Sequence, residues 1–350
     1  MSKQVTIQPN FEISSLLKLK QRDTSLDNFQ LYKSGRYALF FGLKNIIETN
    51  SSLKDIYVPT YVCPQVLMPV DKLNLNINFY QIDQNLSVDK KYLEKSVNSN
   101  SIIIVINYFG FPAEWEFFEE LKLKTKCILI SDNCHSLLTM YNGKNLSQYG
   151  DLSFNSFRKI LPVPSGSQLF YNNKKYAMKN IVNVRMPSLG ESLSIFRSFK
   201  PGFIKSRLGN SNILGAHRSD YDKYSFDPDV TSSIDSLSDK LFFNFLINYQ
   251  KIRDKRQENY KSWLDYLPES DFIFLNELTA INDTIPYVFP CIARSKEIMH
   301  KWLEWGRKNN ISIINWANKN DHLNNHLKLM LLFPVIPDKN IKKTLLYATQ

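Results

Sequence analysis

The sequence predicts an α/β protein with a mainly parallel central sheet flanked by helices, followed by a smaller C-terminal α+β domain. Two patterns predict it. From about residue 55 to Asp132, short apolar runs alternate with stretches of helical periodicity. Beyond about residue 236 that alternation is replaced by one long helical stretch and a mixture of short strands and helices. At 350 residues the chain is long enough for two domains.

Residues 1–30 read as an N-terminal arm with a short amphipathic helix, ISSLLKLKQR. Ser34-Gly35 then precedes RYALFFGLKNIIETN, whose apolar residues recur at three and four, so the pair marks a helix start. DIYVPTYV is strand-like, CPQVLMPVDKL helical, INFYQID a strand, VDKKYLEKSVN a helix, SIIIVINYF a strand, 113–124 a helix and CILISD a strand. The large domain spans 31–235. Its last part, 172–235, carries Gly, Pro and Ser without a clear period and reads as an irregular excursion, a lid or a dimer contact. The segment 236–350 holds a long, bent bridging helix ending at KSWLDYL. It continues through strand-like IPYVFPCIA, helical SKEIMHKWLEWGRKN, strand-like ISIINW, and LLFPVIP with a short final helix.

Bulk composition narrows the function classes. The hydrophobic share is 43% and the charged share 22%, an ordinary globular balance. No apolar run reaches the length of a membrane span, and MSKQVTIQPNFEISS lacks the apolar core of a signal peptide, so the expected compartment is the cytoplasm. The four cysteines are scattered without a CxxC pair, which argues against structural zinc and a disulfide framework. His322 and His326 stand at i, i+4 spacing but without the intervening base of HExxH, so no metal is expected. The net charge of +11 is dispersed rather than gathered into a tail, which points away from nucleic acid.

The chemistry concentrates between Ile128 and Tyr171. An apolar run ends on Asp132, with His135 three residues on; Ser156-Phe157-Arg158-Lys159 follows, then a Pro- and Gly-bearing turn and another apolar run. An acid after one strand and a lysine before another converge at one edge of a sheet, where α/β folds collect ligands. Pyridoxal phosphate (PLP) needs that pairing: a carboxylate keeps its pyridine nitrogen protonated and an amine forms the Schiff base.

The order of segments sharpens this. Ser34-Gly35-Arg36 precedes Ala38-Leu39; Val58-Pro59-Thr60-Tyr61 follows; then come Asn107 to Ala113, Ser131 to His135, and Gly150-Asp151 with Ser156-Phe157 and Lys159. In this order they resemble the DegT/DnrJ/StrS family of PLP-dependent sugar aminotransferases, members of the type I (aspartate aminotransferase) fold. RQENYKSWLDYL, TIPYVFPCIAR and SIINW are similar to the family's C-terminal half. Two departures stand out. Ser165-Gly166-Ser167 replaces a common DGG, and Cys63 occupies a position that usually carries a ring-stacking aromatic.

The resemblance implies roles residue by residue. Lys159 forms the Schiff base and shuttles the proton. Asp132 pairs with the pyridine nitrogen, and His135 lies near the ring's 3′-oxygen or on its face. Ser34, Gly35 and Arg36 cradle the phosphate at a helix N-terminus, Ser156 adds a hydroxyl, and Tyr61 lines the crevice. It further implies a cytoplasmic homodimer that moves an amino group from an amino acid, glutamate by resemblance, to a nucleotide-linked keto-sugar for a bacterial surface polysaccharide. Trp316 and Arg294 are candidate substrate contacts. Two rival readings keep the fold. One is a sugar dehydratase, against which an intact Lys159 counts because such relatives lack that lysine. The other is a degenerate, non-catalytic protein, for which the altered turn is the best support.

Overall fold

The computed structural model describes residues 5–9, 29–177, 184–186, 226–228, 232–246, 249–275, 283–316 and 325–348. Strand β1 (Phe29–Tyr32) leads into helix α1 (Gly35–Thr49). Then follow β2 (Asp55–Pro59), α2 (Pro64–Lys72), β3 (Asn76–Tyr80), α3 (Lys90–Ser96), β4 (Ser101–Ile106), α4 (Trp115–Thr125) and β5 (Ile128–Asn133). A small hairpin, β6 (Met140–Tyr141) and β7 (Lys144–Asn145), precedes β8 (Leu152–Asn155), the one-turn helix α5 (Phe157–Ile160) and β9 (Ser167–Tyr171). The expected strand and helix segments between residues 35 and 133 are all present, with ends within about three residues of those expected.

Seven strands form one sheet in the order β1-β9-β8-β5-β4-β2-β3. The ladders β3-β2, β2-β4, β4-β5 and β5-β8 are parallel, while β9 runs antiparallel to both β8 and β1. The central strands β4 and β5 are buried at every position. Their runs SIIIVI and ILIS therefore lack the alternation of a half-exposed strand, as expected where helices cover both faces. Local signals set the helix ends. Asp89 accepts the Tyr92 N–H at 3.0 Å to start α3, and Lys126 closes α4 in a left-handed conformation (φ 63°).

Beyond this sheet lie α6 (Ser236–Leu246) and α7 (Tyr249–Tyr266), on either side of residues 247–248. The second sheet is antiparallel, ordered β10-β11-β13-β12, from β10 (Phe272–Phe274), β11 (Val288–Ala293), β12 (Ile314–Asn315) and β13 (Met330–Pro334). Helices α8 (Lys296–Lys308) and α9 (Ile341–Leu346) complete it. Strand β10 was not expected from the sequence. Helix α7 binds this sheet through Trp263, whose ring packs 4.8 Å from Phe333 and whose Nε1–H donates to the Pro334 carbonyl at 2.7 Å. Val5 reaches across to pair with Ile311. The amphipathic helix expected at ISSLLKLKQR, most of the 172–235 excursion, and His322 lie outside the described residues.

Candidate active site

The carboxyl ends of β4, β5 and β8 lie side by side, with Ile106 opposite Asp132 and Asp132 opposite Phe154. Asp132 is therefore carried to the sheet edge by two ladders. Its Oδ1 accepts the Cys134 N–H at 2.8 Å, which tucks the carboxylate into the turn after β5. Burial raises its pKa above the ordinary carboxylate value, and the Lys159 charge pulls the other way. Asn107, at the end of β4, is fully committed nearby. It donates to Ser131 Oγ and Asn133 Oδ1 at 3.1 and 2.7 Å, and accepts from the Ala113 N–H and the Trp115 indole at 2.8 and 2.9 Å.

Helix α1 begins directly against this edge. A Cβ on Gly35 would lie 3.0 Å from Cys134 Sγ and 3.3 Å from the Asn155 carbonyl, so a side chain there would have to push the strand ends away. Ser34 sits at the N-cap in extended conformation without capping α1 through its side chain. Its Oγ is buried and has no hydrogen-bond partner among the described residues. A buried hydroxyl left without a partner is costly, so its presence at a 15-residue helix's N-terminus fits an anion bound there. Arg36, half-buried, brings Nη1 to 3.9 Å from Met68 Sδ. Ser156 is buried and stands at the N-cap of α5.

Lys159 is held on α5, one turn past the end of β8. Its Nζ stands 5.9 Å above the Tyr287 ring. That ring in turn stacks on His135, with centroids 4.8 Å apart and planes at 17°. On its other side His135 faces Phe109 at 5.8 Å and 9°. Its Nδ1 accepts the Phe109 N–H at 3.4 Å, which leaves Nε2 to carry the proton of the neutral ring. Burial first, and the Lys159 charge second, push the His135 pKa well below the usual imidazole range. The Lys159 charge is thus felt at both Asp132 and His135.

The altered turn has its own anchorage. Ser165 Oγ donates to Asp235 Oδ2 at 2.9 Å, and Asp235 Oδ1 caps α6 by accepting the Ser238 N–H at 2.8 Å. Gly166 adopts φ +123°, and its N–H donates to the Lys33 carbonyl at 2.9 Å. A Cβ there would come within 2.3 Å of the Phe157 ring, which itself stacks on Phe242 at 3.6 Å. Ser165 is thereby tied to the carboxylate just before α6.

Tyr61 is committed at its hydroxyl. It is fully buried, and its hydroxyl donates to the Trp316 carbonyl at 2.8 Å. Its ring meets Trp316 edge-on at 4.7 Å. Trp316 also contacts Phe109 and His135, so it closes an aromatic wall beside the site. Arg294 is exposed at the end of β11 and donates to the Glu269 carbonyl at 2.9 Å, away from this wall. Sequence reasoning missed Tyr287 and Phe109. A strand-end aromatic in IPYVFPCIA was the available signal for the first; Phe109 lies in the segment quoted for the resemblance, but its left-handed backbone (φ 58°) had none.

The sequence profile of the DegT/DnrJ/EryC1/StrS aminotransferase family matches residues 32–182. Across that segment the chain is similar to this family. Residues bearing every predicted cofactor contact fall inside the matched span. A GDP-4-keto-6-deoxy-D-mannose 3-dehydratase of Yersinia pseudotuberculosis is 26% identical over 123 residues, 34% of this chain and 30% of the relative. The chain thus spans under a third of that relative's length. Among solved structures, Helicobacter pylori PseC, an aminotransferase involved in the biosynthesis of pseudoaminic acid, superposes with a TM-score of 0.68 at 15% identity, over 99% of this chain and 97% of that one. An E coli GDP-4-keto-6-deoxy-D-mannose-3-dehydratase with bound hydrated PLP reaches 0.68 at 15%, over 90% and 85%. The chain therefore has the type I fold of PLP-dependent aminotransferases.

Proposed function

We propose that this protein is a PLP-dependent aminotransferase that moves an amino group from an amino acid, glutamate in this reading, to a nucleotide-linked keto-sugar. One observation carries the proposal: Asp132, His135 and Lys159 share one buried electrostatic neighbourhood beside a helix N-terminus with an unsatisfied buried hydroxyl. The family match over 32–182 supports it. When bound, the cofactor supplies an electron sink that stabilises negative charge on the carbon losing its proton.

The chain's own residues divide the remaining work. The N-terminus of α1 and the Ser34 hydroxyl hold the phosphate. Asp132, whose carboxylate is costly to bury alone, would favour a protonated pyridine nitrogen in a bound cofactor. Lys159 provides the amine for attachment and, once released, the base that moves a proton at the substrate carbon. Neutral His135 offers its Nε2–H rather than a second positive charge beside Lys159. The Tyr61–Trp316 clasp and the Phe109 ring exclude water from the same corner.

The reading extends to a cytoplasmic homodimer that serves a bacterial surface polysaccharide. What bears on the first part is that no described helix is long and apolar enough to cross a membrane. The similarity to sugar dehydratases makes a dehydratase the rival, and Lys159 argues for amino transfer instead. The test is to incubate the purified protein with PLP, glutamate and a panel of nucleotide keto-sugars and to read products by mass spectrometry. Formation of an amino-sugar with 2-oxoglutarate supports the proposal. A deoxy-keto-sugar without amine incorporation would replace it with the dehydratase reading.

A further inference from the structure

Arg256 lies on α7 and is fully buried. Taking a guanidinium out of water costs several kcal/mol unless its donors are answered. Among the described residues its two terminal nitrogens are answered by carbonyls and not by a carboxylate, while the buried Nε has no hydrogen-bond partner. Nη2 donates to Ile160 O at 2.9 Å, and Nη1 donates to Pro286 O and Tyr287 O at 3.1 Å each. Burial lowers its pKa to about 10, which leaves it charged at neutral pH, with Asp338 and Tyr287 favouring the cation.

What the fork joins is informative. Ile160 is the residue after Lys159, at the last position of α5. Tyr287 is the residue whose ring faces the Lys159 amine at 5.9 Å and His135 at 4.8 Å. The Tyr287 N–H donates to Phe109 O at 2.7 Å, and the Phe109 N–H donates to His135 Nδ1 at 3.4 Å. One side chain therefore ties the backbone behind the amine to the backbone of Tyr287, whose ring faces that amine. A short helix of four residues has little rigidity of its own, so its placement depends on such outside contacts.

We propose that Arg256 is a positioning residue: its planar fork fixes the Lys159 backbone against the Tyr287 peptide and so sets where the Lys159 amine lies relative to Tyr287 and His135. The inference rests on reading Lys159 as the cofactor-binding lysine. Lysine cannot substitute at 256, because a single ammonium does not span carbonyls on two separate segments as the guanidinium does. A role limited to placing a positive charge in the core would, by contrast, be rescued by lysine.

The experiment compares wild type, Arg256→Lys and Tyr287→Leu after incubation with PLP. Circular dichroism and thermal melting establish folding. Borohydride then fixes the cofactor covalently, and peptide mass spectrometry reads the rate of fixation at Lys159 across pH. Folded Arg256→Lys is expected to be fixed at Lys159 on the order of 10-fold more slowly, as for a small misplacement of a reacting group, with a displaced pH midpoint. Tyr287→Leu is expected to shift the midpoint in the same direction. Arg256→Lys that folds and matches wild type in rate and midpoint overturns the proposal. If Arg256→Lys does not fold, Tyr287→Leu decides, and a wild-type midpoint there overturns it. Wild type that is never fixed at Lys159 defeats the cofactor reading itself, which is a separate outcome.

Discussion

The wall of the site that carries Asp132, Cys134 and His135 is one continuous stretch of chain at the end of a strand buried at every position. The facing wall is assembled from segments far apart in sequence: Lys159 on α5, Tyr287 before β11, and Arg256 on α7, whose contact with Ile160 spans 96 residues. In the first wall, backbone ladders to β4 and β8 fix Asp132, and the turn that follows carries Cys134 and His135. In the second, side chains do the fixing. Substitutions on the strand-end wall should therefore alter chemistry while leaving the fold, whereas those on the assembled wall should disturb placement and stability together.

The largest effect that tests this contrast is at Asp132. Asp132→Asn keeps an acceptor for the Cys134 N–H but removes the charge opposite the cofactor's ring nitrogen. Losing one partner of a buried ion pair costs about 3–5 kcal/mol, so cofactor affinity and kcat/KM should fall at least about 100-fold. The apo protein should move the other way. Burial raises the Asp132 pKa in the folded chain, so its ionisation costs stability as pH rises through that value, and asparagine removes the cost. A thermal melt of apo Asp132→Asn at neutral pH that falls well below wild type would contradict the division between the walls.

Next in size is Gly166→Ala, on the assembled wall. The new Cβ meets both a left-handed backbone and the Phe157 ring at 2.3 Å. A loss of about 2–4 kcal/mol in urea unfolding is expected, from strain and displaced packing together. Weaker cofactor binding should accompany it, because Phe157 lies two residues before Lys159. Unchanged stability would show that α5 is held less tightly than its contacts indicate.

The smallest effect is the pH dependence contributed by His135. Its folded pKa is depressed, so its contribution to stability is fully present above the unfolded value of about 6.5 and is lost as pH falls below it. Apo wild type should therefore lose melting temperature more steeply than His135→Gln between about pH 6.5 and pH 5. Parallel curves would mean that the imidazole is not held neutral by its surroundings.

The same contrast explains what the sequence disclosed. Asp132, Ser34 and Gly35 were legible as candidates because each belongs to a short segment whose local geometry, strand end or helix start, positions it, and His135 follows in the same segment as Asp132. Lys159 was legible by its order relative to those segments. Tyr61 was placed at a strand end correctly, yet its hydroxyl turns to Trp316, a contact 255 residues away that no local pattern encodes. Arg256 was missed because RDKRQENY reads as a solvated run. The available signal was spacing: Arg256, Tyr260 and Trp263 fall on one helical stripe, and all three are buried. Ser165 read as damage to a turn because its partner, Asp235, is supplied by a distant helix cap.

The central claim is that one amine and one carboxylate grip a single cofactor. Its most direct test is borohydride reduction of the PLP-loaded protein, followed by peptide mapping of wild type and Lys159→Ala. The account predicts one cofactor adduct per chain, located at Lys159 and absent from the variant. An adduct at another lysine, or equal loading of Lys159→Ala, would contradict it.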